Sequence, residues 1–454
     1  MERFSNNQIM ISRIVTFAWI LVSFYLVYML LFMQFGLNML SLVLFGVSAF
    51  AFSVGAIDAV QHGVRIRNIF LIAFFGSLAI NQLFLSKYQL SPTIETMYYD
   101  LCGPIVFAVI LWVFDNRKNK AADLFKSNLF DYCYLACLLI FAFLRVQASS
   151  EIGFRFFSPI FDAERGDITT GQTIDSGGLV AGLMWLLLMM MPNIKKKPIR
   201  VIAIIVMILT CIFCLKRGDI MRVSMFIILF FFVAKPKFQL SKKQILLFLL
   251  ALVIVFGSFS FLGNYRQAAR GSTNFEITET INSRIDNDAI NWVYAYSAFN
   301  FEVLNQTVIS GTPTGEIKEL VKPLTRLVNG NEAVAEDVTT SFGINGINAT
   351  TFLSPFIREV GGWYFAEIAV LALIVGVIGR ICSSLNFVGG YSFLCMLTAL
   401  TIFTDYYLQP VYFFSILLGI FFFAIIKFML RKNGNPTDLP LGRSSLKPLK
   451  RNDI

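Results

Sequence analysis

The sequence predicts an all-α, polytopic integral membrane protein of about twelve transmembrane helices with two enlarged outer loops. Three observations lead there. Hydrophobic residues make up 56% of the 454-residue chain and charged residues only 15%, against roughly 45–50% and about 25% in soluble domains. The 48 Phe residues fall in long apolar runs that a water-soluble core cannot absorb. Lys and Arg recur in every second connection between those runs, the pattern of cytoplasmic loops.

In chain order the runs lie near 14–33, 38–60, 68–86, 101–114, 129–146, 177–192, 199–215, 220–234, 245–263, 363–381, 391–408 and 411–430. About 20 residues cross the hydrocarbon core as a helix, so the fourth, sixth, seventh and eighth are short. The first is long and lacks a small-residue cleavage site, and reads as a signal anchor. The chain then divides into helices 1–5 (1–146), a third outer loop (147–176), helices 6–9 (177–263), a fifth outer loop (264–362), helices 10–12 (363–430) and a polar tail (431–454) expected to be disordered.

Basic residues sort to one side: Arg65 and Arg67; Arg117, Lys118, Lys120 and Lys126; Lys195–Lys197 with Arg200; Lys235, Lys237, Lys242 and Lys243; and the tail. Both termini are expected on that side, and the net charge of +10 reads as a topology signal rather than a nucleic-acid footprint. The cysteine pairs Cys133/Cys137 and Cys211/Cys214 have no accompanying histidine and read as small apolar residues. The single histidine, His62, lies on the basic side and reads as solvated.

The two large loops concentrate the non-membrane residues outside, where function is expected. The first carries Glu151, Asp162, Glu164, Asp167 and Asp175 with Arg155 and Arg165, which reads equally as a solvated loop of local ion pairs. In the second, residues 279–309 have few breakers, and Ile285, Trp292, Tyr296, Phe299 and Val303 recur at near-helical spacing. GTPTG (311–315) is a turn. Ile317, Leu320, Val321, Leu324 and Leu327 form one stripe over 316–328, as in an interfacial helix. Residues 329–351 are rich in Asn, Gly and Thr and read as irregular.

Cations on the outer side run against the general bias. GNYRQAARGS (263–272) puts Arg266 and Arg270 four residues apart, on one side of a helix. LKRGDIMR (215–222) contributes Lys216, Arg217, Asp219 and Arg222, and Arg358 precedes the tenth run. Guanidinium forks match phosphate oxygens bidentately; the same arginines can instead snorkel to lipid headgroups or pair with Asp219 and Glu359. Trp292, Tyr294, Tyr296, Trp363 and Tyr364 can stack on sugars, or simply mark the membrane interface. With no outer histidine, the bases on offer are carboxylates: Asp219 and Glu359, then Glu302 and Asp405. No metal motif, P-loop or dinucleotide fingerprint is present, and no cofactor is expected.

The chain resembles the bacterial O-antigen or oligosaccharide repeat-unit polymerases of the Wzy-dependent pathway. The resemblance rests on the dozen runs with both ends cytoplasmic, the enlarged third and fifth outer loops, the arginine-bearing exit NYRQAARG and the re-entry NATTFLSPFIREVGGWYFAEIAVLALIVG (348–376). An arginine with glycine eleven positions on, described for both large loops in some members, occurs as Arg155…Gly166 but not after Arg266, Arg270 or Arg284. The resemblance implies an architecture like the GT-C membrane glycosyltransferases and an inner-membrane enzyme. Its substrate would be undecaprenyl-diphosphate-linked oligosaccharide, its partners the lipid bilayer and a chain-length regulator, and it would need no metal. On that reading Arg266, Arg270, Arg217, Arg222 and Arg358 hold the diphosphate. Glu359 or Asp219 takes the acceptor's proton, and Arg155, Tyr265 and Trp292 contact glycan. The rival readings are a transporter or flippase of lipid-linked glycans and an O-antigen ligase-like transferase.

Overall fold

A computed structural model describes residues 2–32, 38–115, 125, 127–151, 179–213, 217–234, 277–310, 313–329 and 350–433. Among these residues the regular secondary structure is all helical. The sole extended pairing is an isolated antiparallel bridge between Ser86 and Ser283. Six stretches are long and apolar enough to cross a membrane: Gln8–Leu31, Met39–His62, Ile94–Phe114, Asn128–Gln147, Ser354–Leu385 and Pro410–Leu430. Shorter apolar helices cover Ile66–Asn81, Val180–Asn193, Met221–Val233 and Val388–Ile402. The expected ninth run, 245–263, lies outside the described residues, as do most of the third loop and nearly all of the tail. Phe24, Leu30, Val113, Leu129, Phe143 and Phe428 stand exposed on the bundle surface, as side chains facing lipid do.

The first helices are α1 (Glu2–Phe32), α2 (Met39–His62), α3 (Ile66–Asn81), α4 (Ile94–Phe114) and α5 (Asn128–Glu151). Their ends follow local chemistry. Asn38 accepts the Leu40 N–H at 3.0 Å and caps α2, while Thr93 and Thr96 form a reciprocal capping box at the start of α4. A π-helical turn, Leu71–Phe75, interrupts α3 and sets Phe70, Phe74 and Phe75 at the bundle centre, where they are fully buried.

The chain continues with α6 (Leu179–Met190), α7 (Lys197–Phe213), α8 (Arg217–Val233), α9 (Ile277–Thr280), α10 (Asp288–Ser297), α11 (Phe299–Ser310) and α12 (Lys322–Asn329). It ends with α13 (Ser354–Val360), α14 (Tyr364–Leu385), α15 (Val388–Ala399) and α16 (Pro410–Asn433). Phe352 inserts ahead of α13, its ring 5.5 Å from Phe107 and 5.7 Å from Phe74. Gly361 then turns the chain at φ 57° into α14, which packs along α4.

Hydrogen bonds sort the connections into two ends. At one, Arg284 N–H donates to the Leu85 carbonyl (2.8 Å), Lys87 N–H to Asn282 (2.9 Å) and Phe352 N–H to Thr401 (2.9 Å). Asn300 Nδ2 donates to the Ile402 carbonyl at 2.9 Å. Residues 277–329 cover this end, hereafter the capped end. At the other, Asp131 accepts the backbone N–H of Lys195 and Lys196, both at 3.1 Å, and Phe125 N–H donates to the Asn193 carbonyl at 2.9 Å.

Three local expectations are corrected. Residues 279–309 are not one helix: Asn282, at φ 45°, and the Ser86–Ser283 bridge stop the first turn, and the chain breaks again at Ala298. The stripe over 316–328 becomes helical only from Lys322, because the backbone N–H groups of 314, 315, 318 and 319 are bonded to Arg358 and Glu359 at the end of α13. His62 is not simply solvated: its Nδ1 lies 2.7 Å from Asp58 Oδ1, and Asp58 also accepts from Arg67 Nη2 at 2.9 Å.

Candidate functional site

The described candidates gather at the capped end in two groups. Arg222 sits three residues after Asp219 in the first turns of α8, so both side chains share one helix face. Its Nη2 donates to Asp219 Oδ1 at 2.5 Å and its Nη1 to the Tyr406 hydroxyl at 3.3 Å. The guanidinium also lies 5.5 Å from the Tyr406 ring and 5.8 Å from the Tyr412 ring, within cation–π range. Thus the pairing with Asp219 that the spacing allows is made, and Arg222 Nε remains buried without an acceptor. A positive fork braced by one carboxylate and two phenols can receive an anion on its remaining donor. Arg217 is the first residue of the same helix.

The second group surrounds the end of α13. Glu359 Oε1 accepts the backbone N–H of Lys318 (3.0 Å) and Glu319 (2.8 Å). Thr314 N–H and Gly315 N–H donate to the carbonyls of Arg358 and Glu359 at 2.9 and 2.8 Å. Glu359 therefore anchors residues 314–319, a use of one oxygen that its sequence position does not foretell. Its Oε2 is buried without a donor, as are both oxygens of Glu367 and Oδ2 of Asp405, while Arg358 Nε has no acceptor. Glu319 is ion-paired with Lys322.

Asp405 lies in the connection after α15. Burial pushes its carboxyl up to about 7, and the nearby Glu319 charge adds to the rise. Lys322 and the N–H groups of Leu408 and Tyr407 oppose it. It is a carboxyl that can take or give a proton near neutrality, but it is only 3% exposed.

Trp292 is not offered to a ligand. It is buried with Ile281, Phe299, Val303 and Leu85 in the small core of the cap, stacked on Tyr296 at 5.7 Å. Its near-helical spacing with Phe299 and Val303 reflects that core rather than a sugar platform. Tyr364 is likewise internal: its hydroxyl accepts the Gly103 N–H at 2.7 Å and donates to the Tyr99 carbonyl at 2.8 Å. Trp363, 73% exposed, is an aromatic of this end that faces outward. Arg155, Tyr265, Arg266 and Arg270 lie outside the described residues.

Sequence reading named Glu302 as a candidate base but passed over a second buried acid at this end. Asp100, in the first turns of α4, and Glu302, on α11, which packs against α4, are both fully buried. Burial pushes Glu302 up to about 7, opposed by hydrogen bonds from Gln306 and the Leu90 N–H. An acidic residue inside the apolar stretch TMYYDLCGPIV was the available signal. The chain matches no known family model, no curated protein and no solved structure.

Proposed function

We propose that this chain is a membrane glycosyltransferase that polymerises undecaprenyl-diphosphate-linked oligosaccharide repeat units. The capped end would face outward from the bacterial inner membrane and both termini would be cytoplasmic. The observation that carries the reading is Arg222, a guanidinium at the end of an apolar helix, braced on Asp219, Tyr406 and Tyr412 with a donor left over. A diphosphate joined to a polyprenol presents its charge at that depth, and fixed cations lower the cost of charge developing on a leaving group.

In this reaction a hydroxyl oxygen of the acceptor sugar attacks the anomeric carbon of the donor chain. The bond from that carbon to the phosphate oxygen breaks, and undecaprenyl diphosphate leaves with the electron pair. Arg222, Arg217, Arg358, Arg266 and Arg270 would hold the diphosphate. The hydroxyl proton passes to a carboxylate, Glu359 through its unpartnered Oε2 or Asp219 in exchange for its pairing with Arg222.

The test is purified protein given undecaprenyl-diphosphate-linked oligosaccharide from the source organism, with products resolved on a gel. A ladder spaced by one repeat unit is expected. Arg222→Ala should cut its yield at least tenfold, about 1.4 kcal/mol or more in the barrier, with expression unchanged. A single added unit on another acceptor would identify a ligase, and translocation of the lipid without product a flippase.

A further inference from the structure

We infer that Asp100, Glu302 and Asn305 form a binding site for a hard divalent cation that clamps α11 to the capped end of α4. The site is separate from the arginine of α8 and does not depend on the reaction proposed above.

The placement comes from three elements. Leu90 N–H, in the segment leading into α4, donates to Glu302 Oε1 at 3.2 Å, and Gln306 Nε2 donates to the same oxygen at 2.8 Å. The other oxygen of Glu302 is buried and has no donor among the described residues. Asp100 belongs to the second turn of α4, against which α11 packs, and like Glu302 it is fully buried. Asn305 follows Glu302 by three residues on α11, hence on the same face.

Four acceptor atoms are left over. Both oxygens of Asp100, Oε2 of Glu302 and Oδ1 of Asn305 are buried with no hydrogen-bond partner. The three side chains are at most 6% exposed. The phenols nearby are engaged: Tyr294 donates to Gln89 Oε1 at 2.6 Å, and Tyr364 donates to the backbone of α4. Among the described residues no lysine or arginine forms an ion pair with either acid.

Buried acceptors without donors are costly. One shared proton would satisfy two of the four atoms, whereas one cation coordinated by oxygen satisfies all of them. Charge balance selects the valence. Two carboxylates in a dry site are neutralised by a divalent ion and left with a net negative charge by a monovalent one. Calcium accepts irregular carboxylate and amide oxygens, while magnesium demands near-octahedral geometry and retains water. Among the described residues no three acids, cysteines or histidines form a group that could hold an ion, so a site here needs the Asn305 carboxamide as its third ligand.

The experiment uses the full chain in phosphatidylcholine nanodiscs, stripped with chelator, with calcium chloride titrated in and thermal unfolding followed. Calcium should raise Tm by several degrees in a saturable way, because an ion bound only by the folded state stabilises it. Magnesium should do less and sodium least. Glu302→Gln should abolish the shift, and Asn305→Ala should weaken calcium binding about tenfold, the size of one lost ligand contact. Asn305→Ala keeps the test alive should Glu302→Gln fail to fold. An unchanged Tm through millimolar calcium, or an equal rise in Asn305→Ala, would overturn the site. So would a Tm that responds to pH around 7 and to no cation, which would assign the pair to a shared proton. Loss of polymer synthesis is not read, so the outcome is distinguishable from failure of the proposed reaction.

Discussion

Tyr391 shows how one hydroxyl can join three segments at the end opposite the cap. It donates to Asp115 Oδ1 at 2.5 Å and accepts the Ile66 N–H at 3.2 Å, while Asp115 Oδ2 accepts the Arg67 N–H at 3.2 Å. Arg67 in turn reaches Asp58 and lies 4.0 Å over Trp112. Tyr391→Phe leaves a buried carboxylate and a buried N–H short of partners and should cost about 1–3 kcal/mol, visible as a lower Tm in detergent. Equal stability would show that water replaces the hydroxyl. None of these partners can be read from local sequence, since Tyr391 and Ile66 lie 325 positions apart. What spacing does reveal at this scale is neighbours on one helix: Asp219 with Arg222, and Asp58 with His62.

At the scale of elements, close approach is bought with glycine. A Cβ added at Gly389 would sit 1.8 Å from the Met189 carbonyl oxygen, a backbone atom that cannot swing aside, so α15 and α6 meet only because the side chain is absent. Gly389→Ala should cost at least the upper end of the about 1–3 kcal/mol typical of overpacking. Gly46→Ala, with nothing within 4 Å, should be neutral or gain up to about 1 kcal/mol from helix propensity. Comparing the fraction of folded protein in the two variants checks both. Long apolar helices were legible from hydropathy, because lipid exposure requires an unbroken apolar surface. The breaks in the cap were not. At 282 and 298 the carbonyls accept instead from the Lys87 N–H, and from Asn81 Nδ2 and the Phe301 N–H, partners far away in sequence or past the break.

For the whole molecule, the two ends defined by hydrogen bonding separate the same connections that the basic residues separate. Cysteines introduced at Glu316 and Lys195, both exposed, should react with an impermeant thiol reagent from opposite sides of sealed vesicles. Labelling of both from one side would refute the expected orientation. Sequence alone determined that this is a helical membrane protein and where the described long helices run, while the side each connection faces is the expectation that the labelling tests. Those properties follow from local hydrophobicity and charge measured against a fixed bilayer. The tertiary structure decided which polar groups are already engaged: Arg222 by Asp219 and Tyr406, Glu359 by the amides of residues 318 and 319, and Trp292 by the core of the cap. It also buried Asp100 and Glu302 on two helices that pack together. A side chain's role depends on partners brought together from distant parts of the chain, and residue type and spacing carry no record of those partners.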